Sequence, residues 1–257
     1  MCILFFAIEQ HPKYPLIICA NRDEFHQRPT QSMHWWPTRK NNSNILAGKD
    51  LQAGGTWLGL NAQGKFSALT NFRQPQSFDN EKQSRGDLVL QALNMNNNDI
   101  TDLLTKSAKN YNAFNLVFGK LGELCCFDST TNKLLALTPG FHSLCNGALD
   151  DIWPKMALGE SKLTETIHHS SEGTLNINEL FTIMQDNQQA SLKSLPKTGL
   201  SVDFEQLLSS IFIVSPNYGT RTTNIITQDN DGNISIYDRS FNEHGKYFKE
   251  QNFSIKL

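Results

Sequence analysis

The sequence has no surplus of positive charge: 23 Lys and Arg stand against 25 Asp and Glu in 257 residues, a formal net charge of −2. Phosphate binding needs clustered Lys and Arg, so nucleic acid is not an expected partner. No apolar run approaches the ~18–20 residues that span a bilayer, so no transmembrane segment is expected. The run Cys2–Ile8 lacks a basic flank and ends at Glu9, which reads as a strand and not as a secretion leader. Cysteine is scarce. Five residues with no Cys-x-x-Cys, and with one adjacent pair (Cys125 and Cys126), describe neither a disulfide framework nor a zinc site. The expected setting is reducing and cytoplasmic, and the Asn-x-Ser triplets at Asn41, Asn233 and Asn252 then carry no glycan. Also missing are the phosphate-binding loop, the dinucleotide glycine fingerprint, Gly-x-Ser-x-Gly and His-x-x-x-His. His168 and His169 are adjacent on a predicted helix, diverge by about 100° and cannot chelate one ion together.

What is present is a β-rich pattern. Cys2–Ile8 and 14–20 are apolar, β-branched and aromatic runs joined by a turn-rich segment containing Pro12, a hairpin signal. A polar stretch with Pro29 and Pro37 follows, and its Asn41-Asn42 pair reads as loop. Strands are then predicted at 56–60 and 66–72 around the turn Asn61-Ala62-Gln63-Gly64. Ser84 suits the cap of a helix whose apolar positions include Leu88, Val89, Leu90 and Leu93. A second helix is predicted at 99–108, preceded by the polar run 94–98. Further strands are predicted at 114–118, 124–128 and 134–137, helices at 153–169 and 176–187, and closing strands at 211–214, 222–227 and 234–237. Hairpin connections favour antiparallel sheets, and interspersed helices must cover them. The expected class is α+β: two antiparallel sheets between helical layers, in one domain spanning 1–257.

Position singles out two features. Cys2 directly follows Met1 and is small enough for the methionine to be removed, which would leave a thiol and a free α-amine on one residue. An α-amine has a pKa of about 7.7–8.0 and can act as base for a neighbouring nucleophile. Cys2 equally suits the start of a buried strand. The second feature is Asn21-Arg22-Asp23-Glu24, four polar residues closing an apolar strand. A carboxylate there can hold the Cys2 amine, and a guanidinium can lower a thiol pKa. Strand neighbours point to opposite faces, so Arg22 and Asp23 face one site only if the strand twists or bulges. The alternative is an ordinary strand end entering solvent, with weak surface pairs.

Met1-Cys2, Asn21-Arg22-Asp23-Glu24, Gly54-Gly55-Thr56-Trp57-Leu58-Gly59, Ser84-Arg85-Gly86-Asp87 and Tyr218-Gly219-Thr220-Arg221-Thr222-Thr223 resemble the NRDE family, the Transport and Golgi Organisation family. These motifs cover nearly the whole chain in order. The resemblance implies a link to haem trafficking and to lipid or acyl-CoA metabolism, with no agreed reaction. A more distant resemblance supplies chemistry. Gly59-Leu60-Asn61-Ala62-Gln63-Gly64 followed by Leu69-Thr70-Asn71-Phe72 is similar to the matching hairpin of choloylglycine hydrolases and penicillin V acylases. That resemblance implies an N-terminal-nucleophile (Ntn) hydrolase αββα sandwich with Cys2 as nucleophile and Asp23 holding its amine. It also implies Asn71 and Asn146 as oxyanion or orienting groups and Arg221 as an electrostatic support. Asn21, Arg22, Glu24 and Trp57 are supporting or substrate-binding candidates. Those amidases space Arg and Asp as Arg-x-x-Asp. Here Arg22 and Asp23 are adjacent, which leaves one of them in its amidase role, Asp23 for the amine.

Two functions follow as expectations. One is a cysteine amidohydrolase acting on the amide bond of a small acylated substrate, needing no cofactor. The other is a carrier of haem or an acylated ligand that uses the same pocket without turnover. For the carrier, Cys2 is a possible axial thiolate and Trp35 and Trp36 a possible apolar wall. His11, His26, His34 and His142 sit in no ligating pattern, and no Cys-x-x-Cys-His is present. A scaffold for protein–protein interaction is the least supported option, because no amphipathic stripe or long tail favours it. Nothing in the sequence reports oligomeric state.

Overall fold

The computed structural model describes residues 2–37, 44–170 and 174–257. Met1 and the Asn41-Asn42 loop expectation lie outside the described residues. In chain order the strands and helices begin β1 (Cys2–Ile8), β2 (Leu16–Phe25), β3 (Thr30–Trp35), β4 (Ile45–Asp50), β5 (Leu58–Asn61) and β6 (Lys65–Asn71). Next come α1 (Gly86–Asn94), α2 (Asn97–Ser107), β7 (Phe114–Lys120), β8 (Glu123–Asp128), β9 (Lys133–Ala136) and β10 (Gly140–Leu144). The chain closes with α3 (Pro154–His169), α4 (Ile177–Met184), α5 (Val202–Leu207), β11 (Tyr218–Gln228), β12 (Asn233–Phe241) and β13 (Tyr247–Lys256). Two compact units result: Met1–Gln27 with Thr138–Lys256, and Arg28–Leu137 with Leu257.

The first unit holds a six-stranded antiparallel sheet in the order β10-β1-β2-β11-β12-β13. β1 and β2 are central. Every residue of β1 and the first eight of β2 are buried, which is why both read as continuous apolar runs without alternation. On one face Ile3, Phe5, Ala7, Ile17 and Cys19 pack with Met156, Leu163 and Ile167 of α3 and with Leu180, Phe181 and Met184 of α4. Each large apolar side chain buried in this way stabilises by roughly 1.5–3 kcal/mol. α3 sits tight on β1: a Cβ on Gly159 would lie 2.1 Å from the Phe5 ring, and Phe5 is fully buried.

The second unit is a seven-stranded antiparallel meander running from β3 to β9 in chain order. Helices α1 and α2 cover it through Leu88, Val89, Leu93, Ile100 and Leu104, packed on Ile45, Leu69, Phe114, Leu116 and Phe118. The predicted turn after β5 forms: the Asn61 side-chain oxygen accepts from the backbone of Gln63 and Lys65, and Gly64 has φ 75. Two of the quoted motifs meet here. A Cβ on Gly55 would come within 2.7 Å of Gly86, so the segments bearing Gly54-Gly55 and Arg85-Gly86 touch backbone to backbone. Trp57 lies over Gly48, where a Cβ would be 2.3 Å from its ring.

Several sequence expectations need correction. β3 lies within the polar stretch for which no element was predicted. It is a sheet-edge strand whose residues are mostly half-buried or exposed, so no apolar alternation marked it. β13 is also an edge strand, mostly exposed, and β4, β10 and α5 are likewise additional elements. α1 is capped at Arg85, not Ser84, and no side-chain capping bond forms. The run 94–98 is partly helix, because the Asn96 side chain caps α2 through the Asp99 backbone N–H. Residues 211–214 form only a bridge, Val214 to Gly219. Their backbone is taken by side chains: Ile211 O accepts from Asn21, and Ile213 N donates to the Thr220 hydroxyl. Among the described residues no helix is long and apolar enough to cross a membrane.

The seat of α3 generates a prediction in which two effects oppose. Alanine is the better helix former than glycine by about 1 kcal/mol, yet in Gly159→Ala the methyl group would meet a ring that has no room to move. Net destabilisation of about 1–3 kcal/mol is expected from overpacking, read as a lower urea midpoint. An unchanged or higher midpoint would mean that the α3–β1 contact is looser than described.

Candidate active site

Cys2 opens β1 and pairs with Arg22 of β2, so thiol and guanidinium project to the same face of the sheet. Asp23 follows Arg22, one residue past the last pair of that register. It therefore projects to the opposite face of the sheet. Adjacent Arg22 and Asp23 thus project to different faces, Arg22 to the side of the Cys2 thiol and Asp23 to the other, with no bulge in β2. Nor is the tetrapeptide a strand end entering solvent: Asn21, Arg22 and Asp23 are 1%, 4% and 1% exposed.

The bulge is in the neighbouring strand. β11 pairs Thr220 with Asp23 and Thr222 with Arg22, leaving Arg221 as the extra residue. This register carries Thr220 to the Asp23 face, where its hydroxyl donates to Asp23 Oδ1 at 2.7 Å. Arg221 is turned aside, and its Nη1 donates to the carbonyls of Phe25 and His26 at 3.1 and 3.2 Å, clamping the end of β2. Asn21 is a tie between elements. Its amide donates to Met184 O and Ile211 O at 2.8 and 3.0 Å, and Thr223 donates to its oxygen at 2.5 Å. Glu24 lies on the Cys2 face, 3.6 Å from Arg22 Nη2. Asn146 is buried two residues beyond the last β1–β10 pair, Leu4 with Leu144, just as Cys2 lies two residues before Leu4. Asn71 ends β6, and Trp57 precedes β5; both belong to the Arg28–Leu137 unit.

Electrostatics oppose each other at the thiol. Burial pushes the Cys2 pKa up and Asp23 and Glu24 add to this, while Arg22 pulls it down. Burial also raises the Asp23 carboxyl, opposed first by Lys155 and then by the Thr220 hydrogen bond and Arg22. Burial and the Arg22 charge depress Arg221, against Glu24 and Glu243. Lys155 was not a sequence candidate, although it is 3% exposed. The available signal was its place in the first turn of a helix, where the macrodipole disfavours a cation. Thr220 and Thr223 lay inside a quoted motif but drew no role, since a threonine in a strand is ordinary.

Thr220→Val keeps the shape and removes the donor to Asp23. Hydrogen bonds to charged groups contribute about 1.5–3 kcal/mol, and a loss of that order is expected near neutral pH. The Thr220 bond favours the ionised carboxylate, so the variant should raise the folded pKa of Asp23. Burial holds the folded pKa of Asp23 above the unfolded carboxyl value, about 3.9, so that support is present above the folded pKa and is lost as pH falls through it. The stability difference between variant and wild type should therefore be larger at pH 7 than at pH 4. Equal differences at the two values would show that Asp23 is not ionised at pH 7.

Residues 1–243 match the family described as Transport and Golgi organisation 2. A human relative, "Transport and Golgi organization protein 2 homolog", is 33% identical over 261 residues, covering 93% of this chain and 93% of that protein. A mouse relative of nearly the same description is 31% identical over 261 residues, with the same coverage of both chains. Among solved structures, a conjugated bile acid hydrolase from Clostridium perfringens matches with a TM-score of 0.55 at 11% identity, covering all of this chain and 92% of that one. At that identity the likeness shows the fold alone: an α+β, Ntn-hydrolase-like arrangement of two antiparallel sheets and helices, as the resemblance implied. By the match over residues 1–243 and the identity to the human relative, the chain belongs to the Transport and Golgi organisation 2 family.

Proposed function

We propose that this protein is an Ntn-type cysteine amidohydrolase acting on the C–N bond of a small acylated substrate. The observation that carries the reading is the pairing of Cys2 with buried Arg22 while buried Asp23 sits one rung further on. A thiol, a cation beside it and a carboxylate at the position of its amine are what an N-terminal nucleophile requires. The hydrolase fold of the bile acid neighbour is compatible with this chemistry.

Removal of Met1 exposes the α-amine of Cys2, and Asp23 orients it. The amine takes the thiol proton as the sulfur adds to the substrate carbonyl. The tetrahedral oxyanion is held by polar hydrogens, for which Asn146 is the candidate within the Cys2 unit. Collapse breaks the C–N bond, and the ammonium returns its proton to the departing amine, leaving a thioester on Cys2. Water, deprotonated by the same α-amine, adds to the thioester and releases the carboxylic acid, restoring thiol and amine. Arg22 supports negative charge on sulfur at both stages.

Intact mass of untagged protein, alone and after a thiol-directed alkylating probe near neutral pH, tests the premise. Loss of the Met1 mass with labelling of Cys2 ahead of Cys19, Cys125, Cys126 and Cys145 is expected. Retained Met1 or an inert Cys2 would remove the base or the nucleophile. A saturable Soret change on haem titration of such a protein would favour the carrier function in its place. On an amide substrate found by library screening, Cys2→Ala should abolish turnover with the fold intact. Asn71→Ala tests the oxyanion role implied by the resemblance, with an expected loss of about 10²- to 10³-fold in kcat. Full turnover by Cys2→Ala overturns the amidase reading outright.

A further inference from the structure

We propose that Lys155 is a positioning residue of this site: its buried ammonium is the counter-charge that lets Asp23 serve as the carboxylate partner of the Cys2 amine. This rests on the amidase reading for what Asp23 does, and on the structure alone for the pairing of the two charges.

Lys155 is 3% exposed and Asp23 is 1% exposed, and neither residue type is ordinarily buried without an opposite charge or several hydrogen bonds. Both lie on the helix side of the sheet. Asp23 projects there with Asn21, whose amide reaches Met184 at the end of α4. Lys155 is in the first turn of α3. Its neighbour Met156 packs among Ile3, Phe5 and Cys19, with the Cys145 thiol 3.2 Å from its sulfur. Gly159, one turn on, brings α3 against Phe5. The first turn of α3 is thereby held over the start of β1, next to the rung that carries Asp23.

Among the described residues, the charged and titratable groups acting around Asp23 are Lys155 from α3, Arg22 from its own strand and the Cys2 thiol from β1, and the chain's α-amine acts beside them. Arg22 points to the other face, beside the thiol. Lys155 is accordingly a side-chain cation on Asp23's own side, and its charge is the largest influence opposing the burial of that carboxylate, ahead of the α-amine. The division of labour is physical. With Lys155 assigned to Asp23, the guanidinium of Arg22 remains available to the thiol. A helix N-terminus is also a poor place for a lysine on helical grounds, so its retention there is explained by what it faces.

The test compares Lys155→Met, which keeps length and removes charge, with Lys155→Arg, which keeps charge, in Met1-processed protein. Two readouts are followed against pH: the rate of Cys2 alkylation, and the ¹³C carboxyl titration of Asp23, assigned through Asp23→Asn. In Lys155→Met the Asp23 midpoint and the acid limb of Cys2 reactivity are expected to move up together, by about 1–3 pH units. In Lys155→Arg both should stay near wild type. If Lys155→Met does not fold, Lys155→Gln against Lys155→Arg gives the same comparison. An Asp23 midpoint unchanged on loss of the Lys155 charge overturns the pairing. A shifted Asp23 midpoint with an unmoved acid limb of Cys2 reactivity overturns the positioning role. A wild type whose Cys2 is inert at every pH overturns the amidase reading and the positioning role with it, while the carboxyl titration still decides the pairing.

Discussion

Burying Arg22 and Asp23 side by side in the middle of a six-stranded sheet is the constraint around which the first unit is built. Taking ions out of water costs several kcal/mol each unless partners replace the lost solvation. β11 shifts its register by one residue so that Thr220 reaches Asp23 and Thr222 the Arg22 side. The segment 211–213 gives up strand pairing and spends its backbone on Asn21 and Thr220. Helix α3 carries a lysine in its first turn, against its own dipole. Each departure from regular structure in this region answers the same demand.

That demand weighs on the thiol as well. Burial favours the neutral form of Cys2, and two carboxylates add to the effect, so Arg22 works against a deficit. A base attached to the same residue overcomes this without titrating the thiol in advance, because the proton is transferred as the sulfur attacks. Alternation along β2 makes the arrangement compact. One residue projects to the side of the sulfur and its immediate neighbour to the other, and neither has to reach around the strand.

Much of the fold was legible in the sequence where burial imposes a pattern. β1, β2, α3 and the 61–64 turn were readable because central strands are uniformly apolar and the turn has one available chemistry. Edge strands β3 and β13 were not, since half their residues meet solvent and a polar composition fits loop equally well. At the site, Cys2 and the 21–24 tetrapeptide stood out by position and by charge in an apolar context. Lys155 and Thr220 did not, because a lysine in a helix and a threonine in a strand are common, and their meaning lies in what they face.

The sequence by itself determined that charges would sit within an apolar strand and that a cysteine would follow Met1, since both are facts of order along the chain. Only the tertiary structure decided that Arg22 shares a face with the Cys2 thiol and that Asp23 projects to the other. That choice depends on the β1–β2 register, and a slip of one residue would exchange the two faces. The structure likewise buried the lysine at residue 155, far along the chain, on the helix side of that sheet. Long-range pairing of buried ions is set by the packing of α3 on β1, which no local pattern encodes.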